Sequence, residues 1–393
     1  METLTGTMRH YSWGSTDAIA HLLNVEPTGE PVAEYWLGAH PLSPSRLGQV
    51  GLADHLTAHP EDLGARSRER FGDRLPFLLK VLAAAHPLSL QAHPDAEQAR
   101  AGFAAENARG IPLDADDRTY RDDWPKPELF VALSDFEALC GFRDPHLSRR
   151  LFDSLGVRVS LDPVLGPLTE RRGAAGLAEV FLDCLAPVEE RRHIVEEVVA
   201  AAVNHVDDEG EAGQFARTAV ELDELHPGDP SIMAALLLNR VHLEPGQAIH
   251  VWPGLMHAYL HGTGIEVMAN SDNVVRGGIT DKHIDVDALI RIVSFTCDPL
   301  DVVTPVQEAP GLWRYPTDTE EFRLWRVDLD ASAPVILPAT DLARVMLLTG
   351  GYAVCSSAAG TEEIVQGTAV WVPAGEQVQV DGNCDAFLAA AGL

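Results

Sequence analysis

PGQAIHVWPGLMHAY (residues 245–259) has an echo further along the chain in QGTAVWVPAGEQVQV (residues 366–380). Each stretch reads as a glycine, a polar residue, an apolar strand and a Pro/Gly turn. Aligning Gly246 with Gly367 also aligns Gly254 with Gly375. Paired strands of a small antiparallel barrel carry such a spacing, so the echo predicts two related barrels. His257 of the first copy falls opposite Val378 of the second. If His257 binds a metal, the second barrel has lost that role and is structural or regulatory.

Outward from the echo, the texture of the 393 residues changes twice. Residues 1–145 read as strands and loops, with apolar stretches such as AEYWLGAH broken by Pro, Gly, Asp and His. Residues 146–235 carry apolar residues at helical spacing. One helix is expected to open at Pro187, with Glu189 and Glu190 in its first turn. Strand texture then returns. The expected organisation is mainly β with inserted α: a barrel built from 1–145 and 236–310, a helical domain of 146–235 inserted in it, and a second barrel at 311–393.

The net charge of −30 excludes polyanions as general partners, so neither nucleic acid nor an acidic membrane is expected. No run is long and apolar enough for a membrane span, and METLTGTMRH lacks a signal-peptide pattern. Five scattered cysteines with no CxxC pair read as reduced thiols of a cytoplasmic protein. Only three residues are lysines, Lys80, Lys126 and Lys282, against a total of 29 basic residues. Lysine and arginine differ in geometry and in how readily the pKa shifts, so these three mark positions where arginine would not serve.

Four segments look chemical. In LSLQAHPD (88–95), Gln91 and His93 are two apart, so they share a face of any strand that runs through them, with Ser89 beside them. Pro94 cannot continue a central ladder, which puts the pair at a strand end. The plainer reading is a solvated strand terminus. In WPKPEL, Glu128 enters an apolar strand and needs a cation, either Lys126 as a simple pair or a metal. His257 follows a Pro-Gly turn, with His242, His250 and His261 as competitors nearby. Gln91, His93, Glu128 and His257 together make a two-histidine, one-carboxylate, one-amide set that suits a divalent ion, zinc first. The fourth segment, IEVMANSDNVVRGGITDK (265–282), adds Glu266, a polar turn, Arg276, a Gly-Gly pair and Lys282.

Taken together, SLQAHPD, KPEL, HAYLHGTGIEVMANSDNVVRGGIT, YSWGS and AEYWLGAHP resemble the signature segments of the type I phosphomannose isomerases, in order over residues 11–282. The C-terminal part matches only in general character. The resemblance implies two cupin-type (jelly-roll) β-barrels with a helical domain inserted in the first. It implies one zinc per chain, held by Gln91, His93, Glu128 and His257, with Arg276 in the active site. Lys80, Ser89, Lys126 and Lys282 match positions lining the substrate pocket, as do Trp13, Tyr259 and Glu266. The activity implied interconverts mannose 6-phosphate and fructose 6-phosphate through a cis-enediol. Lys80, Lys282 and Ser89 are expected to hold the phosphate, and Arg276 to stabilise developing oxygen charge.

Many bacterial members of that family read NHKPE where this chain reads WPKPE. Pro125 has no acid–base chemistry, so proton transfer falls to Lys126, Glu266 or a metal-bound water. Burial beside a cation lowers a lysine's pKa toward neutrality, which favours lysine over arginine as a base. Two other readings compete: a cupin metalloenzyme of different chemistry, such as a dioxygenase, and a non-catalytic sugar-phosphate sensor. The amide ligand and the lysine-lined pocket argue against the first, and the intact polar set against the second. Sugar phosphates are the expected partners, and the chain is expected to be a monomer or weak homodimer.

Overall fold

The computed structural model describes residues 1–393 apart from 172, 186–188, 301 and 332. Pro187 therefore lies outside the described residues; the helix it was expected to open runs Glu189–Ala202. The chain is mostly β, with two antiparallel sheets of ten and eleven strands among the described residues. Among the described residues, seven α-helices and one short 3-10 helix, from Pro145–Ser154 to Ser231–Ala235, separate strand Phe136–Phe142 from strand Leu238–Leu243. No described helix is long and apolar enough to cross a membrane.

The echo is structural. In each copy a four-residue strand, Ala248–Val251 or Ala369–Val372, turns into a long one, His257–Ala269 or Gln379–Ala390. The four aligned glycines, Gly246, Gly254, Gly367 and Gly375, have φ of 90°, 86°, 87° and 87°. A side chain is strained in that region of backbone space, so the turns require glycine at these positions.

Strand alternation decides which face carries chemistry. In Phe77–Ala84, Leu79, Val81 and Ala83 enter a core shared by both sheets, where Ile265, Val267, Leu129 and Val131 meet Val345, Leu347, Trp371 and Phe387. Lys80 and Leu82 are thereby turned to the opposite face. The same count turns Glu34, Glu128 and Glu266 to that face. Each fully buried aliphatic or aromatic side chain in such a core contributes about 1.5–3 kcal/mol, which fixes the register.

His257–Ala269 is the central strand. Its first half pairs with Phe136–Phe142 and its second with Phe77–Ala84 and Glu128–Ala132. The change of partners falls at Gly262, where φ is 118° and an added Cβ would lie 2.6 Å from the Asp135 carbonyl oxygen. Behind the first half, the helical segment forms its own core. Leu90, Ala92, Met256, Ala258, Leu260 and Val275 pack there against side chains such as Phe152, Phe181 and Phe215.

Three features depart from the sequence expectation. The greasy run before His93 is not one strand: Phe77–Ala84 ends, residues 85–89 turn, and Leu90–Ala92 is a separate short strand. His93 lies just beyond it. Residues 1–145 also hold helices, the longest being Ala96–Ala108, closed by a capping box between Asp95 and Gln98. Its sequence, AEQARAGFAAENA, has no apolar stripe, so only the cap signalled it. Finally, strand Glu2–Thr5 pairs with Ala369–Val372, so the N-terminus joins the eleven-stranded sheet rather than the sheet that carries Gln91 and Glu128.

Candidate active site

The back-side core aims the front-side chemistry. Leu90 and Ala92 are drawn into the helical core, so Gln91 between them faces the other way; Ala258 and Leu260 do the same for Tyr259, as does Val275 for Arg276. Register then sets these residues in a row. Gln91 pairs directly with His257 on one side and Arg276 on the other. Neighbouring side chains in such a row are about 5 Å apart.

His93, Glu128 and His257 offer ligand atoms that all lie within 4.8 Å of one another, and all three residues are buried. Glu128 Oε1 is 3.3 Å from His93 Nε2, and Oε2 is 3.5 Å from His257 Nε2. Each imidazole uses Nδ1 to donate to a carbonyl oxygen, His93 to Asn273 (2.9 Å) and His257 to Leu255 (3.2 Å). In a neutral ring that leaves Nε2 bare. Burial pushes the His93 imidazole down to about 4, so it is neutral at physiological pH. The bare His93 nitrogen and the Glu128 carboxylate thus point lone pairs at one another, with His257 Nε2 beside them, and His93 Nε2 is buried with no hydrogen-bond partner. A cation between them resolves the conflict, and the donor set fits zinc. Burial alone would raise the Glu128 carboxyl; Lys126, with Nζ 3.1 Å from Oε1, and the two histidines hold it well below the usual range. Gln91 sits beside His257, with its amide Nε2 donating to Ser89 Oγ at 3.1 Å. The competing histidines stand elsewhere: His242 pairs with Glu137, His250 faces Thr319, and His261 is exposed.

On the same face, Lys80 Nζ lies 3.1 Å from Glu266 Oε2 and 3.3 Å from Glu34 Oε1. Glu34 also accepts from the Trp36 indole at 3.0 Å. Burial would lower the Lys80 ammonium, but the two carboxylates outweigh it and raise it above its ordinary value. The expectation that Lys80 holds the phosphate therefore meets a lysine already held by two anions. Burial raises the Glu266 carboxyl, with Glu128 and Glu34 adding to the effect and Lys80 opposing it. The buried Tyr259 hydroxyl lies toward Glu266 without closing a hydrogen bond.

These groups line one cavity of about 760 Å³, together with Trp13, Ser89, Arg276 and Lys282. The structure thus brings the expected metal-ligand, substrate-pocket and catalytic candidates to this cavity, His93 through the cluster with Glu128 and His257. Trp124 and Pro125 do not line it; they border a smaller space, with the Trp124 ring stacked under the Arg74 guanidinium at 4.2 Å.

Several residues in and around the site carried no readable signal. Buried His40 pairs with half-buried Asp272, Nε2 to Oδ1 3.3 Å, in the cavity wall. The Leu42 amide donates to His40 Nδ1, so Nε2 carries the proton. Arg121 reaches the cavity from the loop before Lys126. Asn273, fully buried, ties that loop to the metal cluster: its Oδ1 accepts from the Arg121 and Asp122 amides and its Nδ2 donates to the Trp124 carbonyl, while its own carbonyl accepts from His93. Asn273→Ala should weaken zinc binding by about 10–100-fold, the usual cost of losing an outer partner of a metal ligand, as measured by competition with a chelating dye. Unchanged zinc affinity would show that the loop does not steady His93.

Residues 1–145 match the family model for the catalytic domain of type I phosphomannose isomerase. The chain is 34% identical over 393 residues to the mannose-6-phosphate isomerase of Escherichia coli (strain K12), covering 98% of this chain and 97% of that one. It is 38% identical over 344 residues to the mannose-6-phosphate isomerase of Salmonella typhimurium, covering 84% of each. Among solved structures, a zinc-bound mannose 6-phosphate isomerase superimposes with a TM-score of 0.89 at 32% identity, over 100% of this chain and 99% of that one.

Proposed function

This chain belongs to the type I phosphomannose isomerases, and from that premise we infer a zinc-dependent aldose–ketose isomerase that interconverts mannose 6-phosphate and fructose 6-phosphate through a cis-enediol. The observation that carries the reading is the buried convergence of His93, Glu128 and His257, which leaves His93 Nε2 without a partner unless a cation is present. Gln91 is the fourth ligand; its pairing with His257 and the anchoring of its amide on Ser89 support this. One carboxylate against a divalent ion leaves the centre net positive.

In architecture, the reading is two cupin-type barrels, a catalytic one formed by 1–145 and 236–310 and a metal-free one at 311–393, with 146–235 inserted in the first. The matched glycine turns support it. Glu2–Thr5 is then a strand lent to the C-terminal barrel.

Isomerisation moves a proton between C1 and C2 and must make a C–H beside a carbonyl acidic. When bound, zinc supplies Lewis-acid stabilisation of the oxygen charge that develops as that proton leaves. Arg276, beside Gln91 in the same row, donates its fixed guanidinium hydrogen bonds to the same charge. Glu266 takes the proton from one carbon and returns it to the other, on one face of the enediol. Lys80, 3.1 Å away, opposes the rise that burial gives that carboxyl and so favours its anionic form. Lys126, held on Glu128, exchanges the hydroxyl protons, and Trp13 and Tyr259 wall the pocket. Lys282 meets the phosphate.

The test is turnover before and after chelation. The holoprotein should isomerise fructose 6-phosphate, lose activity by roughly 10³-fold when zinc is stripped, a loss of several kcal/mol of charge stabilisation, and regain it with zinc alone. Binding without turnover would instead identify a sensor, and oxygen consumption would identify the other metalloenzyme class.

A further inference from the structure

We propose that Arg121 is a phosphate-binding residue, acting with Lys282 beside Arg276 as a cationic clamp in the cavity wall. The proposal rests on the sugar-phosphate reading above and changes which residues hold the phosphate.

Four cations line the cavity without an ion pair to any carboxylate among the described residues, Arg9, Arg121, Arg276 and Lys282, and of these Arg9 is held instead by Ser43 Oγ, the Tyr11 hydroxyl and the Trp36 ring. The other three, gathered unpaired in one wall, repel one another, and an anion that joins them relieves that repulsion. They are close enough to disturb one another. Burial lowers the Arg276 guanidinium and Arg121 lowers it further; burial also lowers the Lys282 ammonium, with Arg276 and Arg121 adding to the effect. Lys80 is the opposite case. Its ammonium is held between Glu34 and Glu266, so a phosphate reaching it would meet two buried carboxylates.

Arg121 is also well fixed at its root. Its backbone amide donates to Asn273 Oδ1 at 2.7 Å, and the next residue, Asp122, accepts from Ser271 Oγ and from the Asp272 amide at 2.8 Å each. The side chain itself is exposed and, among the described residues, makes no ion pair. A planar guanidinium can give a phosphate two parallel hydrogen bonds, which suits recognition of a dianion. Because the anchoring uses the backbone, Arg121 can be replaced without dismantling the loop.

The experiment titrates inorganic phosphate into the zinc-loaded protein by calorimetry, with Arg121→Gln and Arg121→Lys beside the native chain. Arg121→Gln should bind phosphate about tenfold more weakly, the loss expected for one charge-assisted contact at a partly solvated site. KM for mannose 6-phosphate should rise by a similar factor with kcat within about twofold, the pattern of uniform binding. Arg121→Lys should recover part of the affinity, because charge survives but the fork does not. Unchanged phosphate affinity in Arg121→Gln overturns the proposal, as does a fall in kcat at unchanged KM. A native protein that binds phosphate through Arg121 yet fails to isomerise would sink the isomerase reading and leave this anion site standing.

Discussion

His93→Ala should give a folded protein that retains no zinc and has lost kcat/KM for mannose 6-phosphate by about 10³–10⁴-fold, several kcal/mol of charge stabilisation at a factor of ten per 1.36 kcal/mol. The argument is geometric. His93 Nε2 is fully buried, unpartnered and 3.3 Å from Glu128. No residue nearby can take its place, because the backbone around it is fixed: its carbonyl accepts from the Gly254 amide at 2.8 Å, and Pro94 follows. Metal analysis of the purified variant and a coupled isomerase assay check both halves. A zinc-free variant with native turnover would remove the metal from the mechanism. A zinc-loaded variant would remove His93 from the ligand set.

The second large effect is expected at Glu266. Glu266→Gln should lower kcat by about 10²–10⁴-fold, the usual range for a positioned acid–base group. KM should stay within about threefold and zinc content at one per chain, because the group acts in the transition state rather than in binding. The substitution keeps the shape of the side chain, and Lys80 keeps Glu34 at 3.3 Å, so the buried lysine is not stranded. The decisive readout is isotopic: exchange of the transferred hydrogen with solvent deuterium should slow in step with kcat. A variant with native kcat would move the base to Lys126 or to a metal-bound water.

Much of this site was legible because period-2 alternation and a few motifs survive in sequence. FLLKVLAA and IEVMA each set one charged residue among apolar ones, and the cores behind them make that position face the cavity. The echo gave the glycine turns. Partners from distant strands were hidden. Lys80 looked like a phosphate ligand because Glu34 and Glu266, which hold it, lie 46 and 186 residues away. Arg121 is one of many surface-type arginines, and only the side chain of Asn273, 152 residues on, which accepts from the Arg121 amide, shows why it is turned to the pocket. Asn273 and Asp272 read as turn residues because their hydrogen bonds go to a loop that sequence cannot place. Helix Ala96–Ala108 lacked an apolar stripe, and its Asp95 cap lay within a stretch already read as strand and loop.

Anomalous diffraction at the zinc edge tests the central idea most directly. The chemistry is expected to depend on one divalent ion seated where the Gln91 carbonyl, the bare nitrogens of His93 and His257, and the Glu128 carboxylate meet. A single strong peak at that point, in crystals of fully active protein, is the predicted result. Active crystals with no peak there, or with zinc held by other side chains, would contradict it.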